Sequence, residues 1–235
     1  MPDVRIVRVT PRAVLWDLDG TLVDSEESHW QSWHETMVGE GIALTYEEFR
    51  ATFGQRNDTI LRRWLGDDVD EARMTRIGDA KEELYRSLVR AGGVAILPGA
   101  AEWVRRLRRE GWAQAVASSA PRRNIEVVLK VVGLAEQFDT TVSAEDVVHG
   151  KPDPQVFLLA ASRVGAAPER SIVVEDAAAG IEAAKRAGMH SIAVFRDGAE
   201  VAADTAAAAD MVVRSLADLP PGAFSGLLDG SAPPR

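Results

Sequence analysis

The sequence predicts an α/β fold: a doubly wound, Rossmann-like parallel sheet with an inserted, all-helical cap domain. Two observations support this prediction. From Leu97 onward, short continuous apolar runs alternate with segments of helical periodicity, which is typical of a parallel sheet covered by helices on both faces. Between Asp24 and Val94, apolar residues instead recur at helical spacing, and no convincing strand is present. We therefore expect an α/β core that is interrupted once by a helical insertion.

Composition limits the classes of function. The chain has 235 residues, no cysteine and a formal net charge of −9. The lack of cysteine excludes disulfides, a thiolate metal site and a cysteine nucleophile. The negative charge disfavours nucleic acid as a partner but allows an anionic small molecule, because a local site can oppose the net charge. No apolar run reaches about 18 residues and no signal-peptide pattern occurs, so we expect no membrane partner. We expect a cytoplasmic protein, and a monomer because nothing calls for a large apolar interface.

The core is expected to contain six strands. Each is a short run of apolar and often β-branched residues, as buried strands of a parallel sheet require. The predicted strands are Val14–Trp16, Ala113–Ala117, Phe138–Val142, Ser171–Val174, Ser191–Phe195 and Met211–Val213. Their alternation with helices along the chain predicts one parallel sheet covered on both faces.

Three core helices have clear sequence signals. Apolar residues repeat at helical spacing over Ile125–Val132 and again over Phe157–Val164. For the second of these helices we expect Asp153 as the N-cap and Pro154 at the first helical position. The third helix is predicted over Ala178–Ala187, directly before a glycine that suits a helix end.

The inserted segment is expected to form three helices. Their apolar stripes contain Trp30, Trp33 and Met37; Ile60, Leu61, Trp64 and Leu65; and Ile77, Leu84 and Leu88. We interpret the tryptophans as core of the cap rather than as a platform for substrate. The predicted domain limits are 1–23 and 95–235 for the core and 24–94 for the cap, with hinges near both junctions. The tail from Gly230 to Arg235 is expected to be disordered.

Polar residues follow several predicted strands at the point where each strand ends. They are Asp17 and Asp19, Ser118 and Ser119, Lys151, and Glu175 and Asp176. Because the carboxyl ends of parallel strands meet at one sheet edge, we expect these side chains to lie close together. Neighbouring carboxylates repel unless a cation balances them, and an all-oxygen ligand set favours Mg²⁺. The turn at Gly20 and Thr21 offers backbone N–H groups to an anion, so we expect a phosphoryl site with Asp17 as nucleophile.

Four motifs occur in a characteristic order. They are DLDGT at Asp17–Thr21, VASS at Val116–Ser119, GKPDP at Gly150–Pro154 and VVEDAAAGIEAAKRAG at Val173–Gly188. With these motifs the sequence resembles the haloacid dehalogenase-like hydrolase superfamily, subfamily IA, in the branch that contains β-phosphoglucomutase and small-molecule phosphatases. The segment from Asp24 to Trp33 also resembles the start of the helical cap of that family.

The resemblance implies a role for each motif residue. Asp17 would attack phosphorus, and Asp19 would protonate the leaving oxygen and then activate water. The implied Mg²⁺ ligands are Asp17, Asp19 through its carbonyl group, Asp176, and Glu175 directly or through water. The implied phosphate-binding residues are Gly20, Thr21, Ser118, Ser119 and Lys151. Lys151 is also expected to take part in catalysis by keeping Asp17 ionised.

Simpler structural explanations exist for some of these residues. Capping of the helix that follows would by itself explain Asp176. The serines could be turn residues, and Lys151 could be a solvated charge. The four ordered motifs favour the functional interpretation. The role of His29 is left open between orienting substrate and packing on Trp33. In the cap, Gly54, Arg56 and Asn57 are candidates for substrate contact.

Four activities of this superfamily are compared. An acid at Asp19 favours phosphate ester chemistry over dehalogenation, because only an ester's leaving oxygen needs a proton. Phosphonate-cleaving relatives use a cap lysine, and the one cap lysine, Lys81, is expected to lie far along the third helix, away from the site. The mutase has a lysine where this chain has Phe53 and an arginine where it has Asn57, although Arg56 is one residue away. We therefore expect a Mg²⁺-dependent phosphatase of small phosphate monoesters, such as sugar phosphates, with a phosphomutase as the alternative. A non-catalytic phosphometabolite-binding protein is a third hypothesis.

Overall fold

The computed structural model describes residues 10–195 and 203–231, with side chains of the second range from residue 206. A six-stranded parallel sheet forms the core, with the strand order β5-β4-β1-β6-β7-β8. The strands are β1 Ala13–Trp16, β4 Ala113–Ala117, β5 Thr140–Val142, β6 Ser171–Glu175, β7 His190–Val194 and β8 Met211–Val213. All six predicted strands are present. Strand β5 begins two residues later than expected, because Phe138 ends the short 3-10 helix Ala135–Gln137 and packs against the core, and pairing with β4 starts at Thr140.

Strand β1 lies in the middle of the sheet and is fully buried on both faces. Val14 and Trp16 pack into one apolar cluster, whereas Ala13 and Leu15 pack into a second cluster on the opposite face. Alternate side chains of a strand point to opposite faces, so a strand covered on both sides must be apolar throughout. This double burial confirms the predicted doubly wound sheet. The direction of winding changes beside β1, and such a switch point is where ligands bind in open α/β sheets.

Within the described part of the core, six α-helices flank the sheet. They are α5 Ala100–Arg109, α6 Arg122–Val131, α7 Gln155–Arg163, α8 Ala178–Arg186, α9 Ala203–Ala208 and α10 Ala223–Asp229. The expected start of α7 was wrong by one residue: Pro154 is the N-cap, not the first helical residue. The Asp153 carboxylate still caps this end, because it accepts a hydrogen bond from the Gln155 amide at 3.0 Å.

The inserted segment forms four helices rather than the three expected. They are α1 Glu26–Gly39, α2 Tyr46–Arg50, α3 Asn57–Leu65 and α4 Glu71–Gly92. Helix α2 has only five residues and a single buried side chain, Phe49, so it shows no periodicity in the sequence. Its capping box between Thr45 and Glu48 is the local signal for it.

Helix α4 buries only part of the expected stripe, because Ile77 is fully buried but the two leucines are not. Leu84 and Leu88 are only half-buried, and the face turned inward includes Lys81, Glu82 and Arg86 instead. Trp33 and Met37 do form the cap core, as expected, with Trp64 packed edge-on against Trp33.

Two short strands join the insertion to the core. Strand β2 (Val23–Asp24) pairs antiparallel with β3 (Ala95–Ile96), although no strand was expected in this region. Each has two residues, too few to give an alternating pattern. The four cap helices lie between these strands, and the limits 24–94 stay a prediction.

Both ends of the chain include residues that the structure does not describe. Within the described residues, no helix is long and apolar enough to cross a membrane. Of the tail predicted to be disordered, Gly230 caps α10 and the Ser231 amide bonds the carbonyl oxygen of Gly226. Residues 232–235 lie outside the described residues, as do 1–9.

Candidate active site

The loop after β1 places the two motif aspartates at the carboxyl edge of the sheet. The Asp17 amide donates to the carbonyl oxygen of Val174 in the neighbouring strand at 3.0 Å, which continues the sheet to the first aspartate. Gly20 then turns the chain with φ +88°, a conformation that side chains disfavour. A Cβ atom on Gly20 would lie 2.0 Å from Oδ2 of Asp176, so only glycine allows this approach.

Thr21 and Gly20 lie beneath the cavity rather than on its wall. Thr21 is fully buried, and its hydroxyl donates to Oδ1 of Asp176 at 3.3 Å. Neither residue belongs to the cavity lining, which contains every other predicted site residue. Their expected contact with phosphate stays a prediction, whereas their contact with Asp176 is direct.

Lys151 lies between two carboxylates from different strands. Its Nζ is 2.6 Å from Oδ1 of Asp17 and 2.5 Å from Oε1 of Glu175. Burial alone would lower the pKa of Lys151, but the two carboxylates raise it above its usual value. Lys151 is therefore a fixed ammonium group and not a solvated surface charge.

Three carboxylates gather around this lysine. Asp17, Glu175 and Asp176 each offer an oxygen, and these oxygens all lie within 4.8 Å of one another. Burial raises the pKa of Asp17 well above its usual value; Lys151 opposes the rise, whereas Glu175 and Asp176 add to it. The protein thus holds more negative charge here than one ammonium group balances. A divalent cation would favour the ionised form of Asp17.

The two serines of the second motif directly follow strand β4. The Ser118 amide donates to the carbonyl oxygen of Val142 at 3.0 Å, and its side-chain oxygen accepts from the Ala120 amide at 3.0 Å. Because a hydroxyl group both accepts and donates, Ser118 can still donate to a bound anion. Ser119 is half-buried and also lines the cavity.

Asp19 is surrounded by residues that the motifs do not include. Its Oδ1 accepts from the Ser25 hydroxyl at 2.6 Å, lies 3.3 Å from Nε2 of His29 and is 3.4 Å from the Tyr85 hydroxyl. The His29 ring stacks on Tyr85 with centroids 4.0 Å apart. The sequence left open whether His29 orients substrate or packs on Trp33. In the structure, its ring lies against Asp19 and Tyr85. Ser25 and Tyr85 were missed by the sequence analysis.

The expected position of Lys81 was wrong. Lys81 is 2% exposed, lines the cavity and has its Nζ 3.0 Å from Nδ1 of His29. It also donates to Oε1 of Glu82 at 2.9 Å. The error arose because position along the helix says little about distance to the site: α4 packs against α1 of the cap and α6 of the core.

These contacts define the hydrogen-bonding state of His29. An ammonium group only donates, so Nδ1 accepts from Lys81, and the ring hydrogen is on Nε2, where it faces Asp19. Burial and the Lys81 charge lower the pKa of His29, although Asp19 opposes this. Burial would raise the pKa of Asp19, but His29, Ser25 and Lys81 hold it below its usual value. The result is a neutral imidazole that donates to an ionised carboxylate.

A cavity of about 540 Å³ lies between the cap and the sheet edge. Its cap wall includes Phe53, Gly54, Arg56 and Asn57. Arg56 donates to the carbonyl oxygen of Val147 in the core at 3.2 Å and lies 3.4 Å from Oδ1 of Asp58. Asn57 donates to Oε1 of Glu82 at 2.8 Å. All three cap candidates thus line the cavity, and the side chains of Arg56 and Asn57 are held by protein groups.

Comparison with known proteins identifies the family. The family model of the haloacid dehalogenase-like hydrolases matches residues 11–188. Protein CbbY of Cereibacter sphaeroides is 32% identical over 231 residues, which is 94% of this chain and 98% of CbbY. Hexitol phosphatase B of Escherichia coli K12 is 32% identical over 195 residues, 79% of this chain and 85% of that protein.

A solved structure shares both the core and the cap. The crystal structure of β-phosphoglucomutase from Clostridium difficile superposes with a TM-score of 0.82 at 25% identity, covering 94% of this chain and 98% of that one. The resemblance seen in the four motifs thus extends over the whole fold. The chain belongs to the haloacid dehalogenase-like hydrolase family and is an enzyme of its phosphoric monoester hydrolase type.

Proposed function

We propose that the protein is a Mg²⁺-dependent phosphatase that hydrolyses small phosphate monoesters, such as sugar phosphates, through an aspartyl-phosphate intermediate on Asp17. One observation carries the proposal: the three carboxylates of Asp17, Glu175 and Asp176 and the Lys151 ammonium group meet at the edge of the sheet, with Asp19 on the same loop. Two relatives are named for phosphate-ester chemistry, a hexitol phosphatase and a phosphoglucomutase.

The donor atoms suit Mg²⁺. They are carboxylate oxygens, the hard ligands that this ion prefers. Asp17, Asp176 and the carbonyl group of Asp19 would hold the ion. Glu175 would act through water, because its two oxygens already accept from Lys151 and from the Ala177 amide. When bound, Mg²⁺ neutralises the charge on the phosphoryl oxygens and on Asp17.

The protein groups then divide the reaction into two steps. In the first, an oxygen of Asp17 forms a bond to phosphorus, the ester P–O bond breaks, and Asp19 gives a proton to the leaving oxygen. Asp19 can carry that proton because a bound phosphate dianion raises its pKa. In the second step Asp19 takes a proton from water, which attacks phosphorus and releases phosphate and the free Asp17 carboxylate. Lys151 and Ser118 hold the phosphoryl oxygens throughout.

The charges in the cavity favour hydrolysis over phosphate transfer. Among the described residues that line it, five are acidic, namely Asp17, Asp19, Glu82, Glu175 and Asp176, and three are cationic, namely Arg56, Lys81 and Lys151. Each cationic group already has a carboxylate within 3.4 Å. A mutase must hold a second phosphate, whose charge would have to draw Arg56 away from Asp58 and the carbonyl oxygen of Val147. The similarity to β-phosphoglucomutase keeps phosphomutase as the alternative.

The decisive experiment measures phosphate release from a panel of phosphorylated sugars, polyols and p-nitrophenyl phosphate, with Mg²⁺ or with EDTA. We expect release only with Mg²⁺, and none from Asp17→Asn, which is nearly isosteric with the native residue. Asp68→Asn, at an exposed position of the cap, is the matched control and should be fully active. Mg²⁺-independent turnover, or normal turnover by Asp17→Asn, would refute the proposal. A binding-only protein would bind these esters without release.

The mutase alternative is tested with β-glucose 1-phosphate and a trace of glucose 1,6-bisphosphate. A phosphatase releases inorganic phosphate, whereas a mutase accumulates glucose 6-phosphate.

The proposal also includes a cytoplasmic location and a monomeric state. Cell fractionation and light scattering of the purified protein test these two points.

A further inference from the structure

A polar contact joins the cap to the core at a position outside the catalytic motifs. Asn124 on α6 of the core donates from Nδ2 to Oε2 of Glu82 on α4 of the cap. Its Oδ1 accepts from Nη1 of Arg86, one turn further along α4, at 2.9 Å. Asn124 is 1% exposed, Glu82 is 5% exposed and Arg86 is 7% exposed. Both the donor and the acceptor of the Asn124 amide are therefore bonded to charged groups that are buried from solvent.

The other oxygen of Glu82 faces the active site. Oε1 accepts from Nζ of Lys81 at 2.9 Å and from Nδ2 of Asn57 at 2.8 Å. Lys81 in turn contacts Nδ1 of His29, and Nε2 of His29 faces Asp19. A continuous series of hydrogen bonds thus leaves the core at Asn124, crosses the cap and returns to the core at Asp19.

The direction of each hydrogen bond in this series is determined. Asn124 presents its donor to Glu82 because its acceptor is taken by Arg86, which cannot accept. Glu82 then accepts from Lys81, and the ammonium group makes Nδ1 of His29 an acceptor. A buried carboxylate that loses a donor is costly, so Glu82 without Asn124 would be expected to turn toward another partner and release Lys81.

We propose that Asn124 is a positioning residue: it fixes Glu82 across the cap–core boundary, and so holds Lys81 and His29 in the arrangement that donates to Asp19. This inference rests on the proposed function, in which Asp19 acts on the leaving oxygen and on water. In this arrangement the cap helices α1 and α4, in contact with α6, bring His29 and Lys81 to Asp19. The cap then does more than cover the cavity, because docking itself completes the surroundings of the acid–base group.

The test is an exchange of the two polar side chains. Asn124→Asp removes the donor and places two carboxylates together, whereas Asn124→Asp with Glu82→Gln restores one donor and one acceptor in the opposite order. Glu126→Gln is the matched control, because it changes a carboxylate to an amide at an exposed position of the same helix, two residues from Asn124. If Asn124→Asp does not fold, Asn124→Ser, which is small and neutral, takes its place in the comparison.

The readout is kcat and KM for p-nitrophenyl phosphate with Mg²⁺. We expect Asn124→Asp to lower kcat about tenfold or more, the effect of one unsatisfied buried group, with KM changed less than about threefold. The kcat of the double variant, Asn124→Asp with Glu82→Gln, should be at least about threefold higher than that of Asn124→Asp alone. Glu126→Gln should match the wild type. An unchanged kcat in Asn124→Asp, or no recovery in the exchanged pair, would overturn the proposal.

Hydrogen–deuterium exchange provides a readout that does not depend on activity. In Asn124→Asp we expect faster exchange both in residues 79–92 and in residues 25–33, because the series links the two segments. Faster exchange in 79–92 alone would show a contact that only fixes α4, and would also overturn the proposal. If the wild type releases no phosphate from any ester, the proposed function fails, while this measurement still tests the linkage.

Discussion

Replacing Gly20 with alanine separates backbone strain from damage to the acidic cluster. The variant Gly20→Ala places a side chain at φ +88° and brings its Cβ within 2.0 Å of Oδ2 and 2.7 Å of Cγ of Asp176. Gly133 has a similar φ of +68°, but a Cβ there would meet nothing within 4 Å. Gly133→Ala is therefore a matched control, because both variants carry the cost of a left-handed alanine and only one displaces Asp176.

The left-handed backbone and the contact with Asp176 affect different measured quantities. A left-handed alanine costs about 1–2 kcal/mol, which for a chain of this length lowers the melting temperature by about 2 to 8 °C. Both variants should show this loss. The close contact in Gly20→Ala is relieved when the Asp176 side chain swings away, which adds little to the loss of stability. It does remove one carboxylate from the cluster with Asp17 and Glu175.

The measurement is the Mg²⁺ concentration that gives half-maximal phosphate release. Loss of an aligned ligand should raise it at least about tenfold in Gly20→Ala, by analogy with the effect of losing groups that orient ligands. Gly133→Ala should keep the wild-type value. If the two variants have the same Mg²⁺ dependence, then Asp176 does not hold the ion, and the proposed set of metal ligands is refuted.

Two further predictions concern stability. Lys151→Met leaves the buried carboxylates of Asp17 and Glu175 without their ammonium partner, so we expect a loss of roughly 3–5 kcal/mol; thermal denaturation should also show that Mg²⁺ stabilises this variant more than the wild type. Asp146, which accepts from Ser143 and Arg163, has its pKa held well below its usual value, mainly by Arg163 and Ser143 against the effect of burial. Its contribution to stability is therefore present above the unfolded pKa of about 4 and lost as the pH falls. Urea unfolding should find Asp146→Asn less stable than the wild type at pH 7, with a smaller difference at pH 3; an equal difference at both pH values would contradict this.

The motif residues could be placed from the sequence because topology alone brings them together. Asp17, Ser118 and Glu175 each stand at the carboxyl end of a strand, and parallel strands end at one edge whatever their side chains are. Knowing the strands was therefore enough to expect the cluster. The details of strand ends, such as the later start of β5, did not affect it.

The residues around Asp19 could not be placed in this way. Lys81 and Tyr85 lie on a cap helix, and their distance to Asp19 depends on how that helix packs against the core. A signal was present, because Lys81, Glu82 and Arg86 interrupt the face of α4 that also carries Ile77 and Tyr85. The apolar residues Leu84 and Leu88 suggested a different stripe. Charged residues at buried helical positions are rare unless paired, so an interrupted stripe was the clue to a site between domains.

The position of the cap is connected to Asp19 by two separate routes. The first runs through the hinge: the Gly20 amide donates to the carbonyl oxygen of Val23, and Ser25, which follows β2, donates to Asp19. The turn that forms the site is therefore continuous with the strand that carries the cap. The second route runs through Asn124 and Lys81 at the far side of the cavity.

Because the two routes meet on the same oxygen of Asp19, a change at either one alters the same hydrogen-bonded group. Ser25 approaches that oxygen from the hinge, and His29 approaches it from the face that Lys81 supports. Loss of one donor leaves Asp19 held by the others, Tyr85 among them, so Ser25→Ala and Asn124→Asp should each reduce kcat partially. Together they should reduce it by more than the product of the single effects, because sites that share a partner do not act independently. Simple multiplication of the two effects in steady-state kinetics would show that the hinge and the cap act on catalysis through different groups.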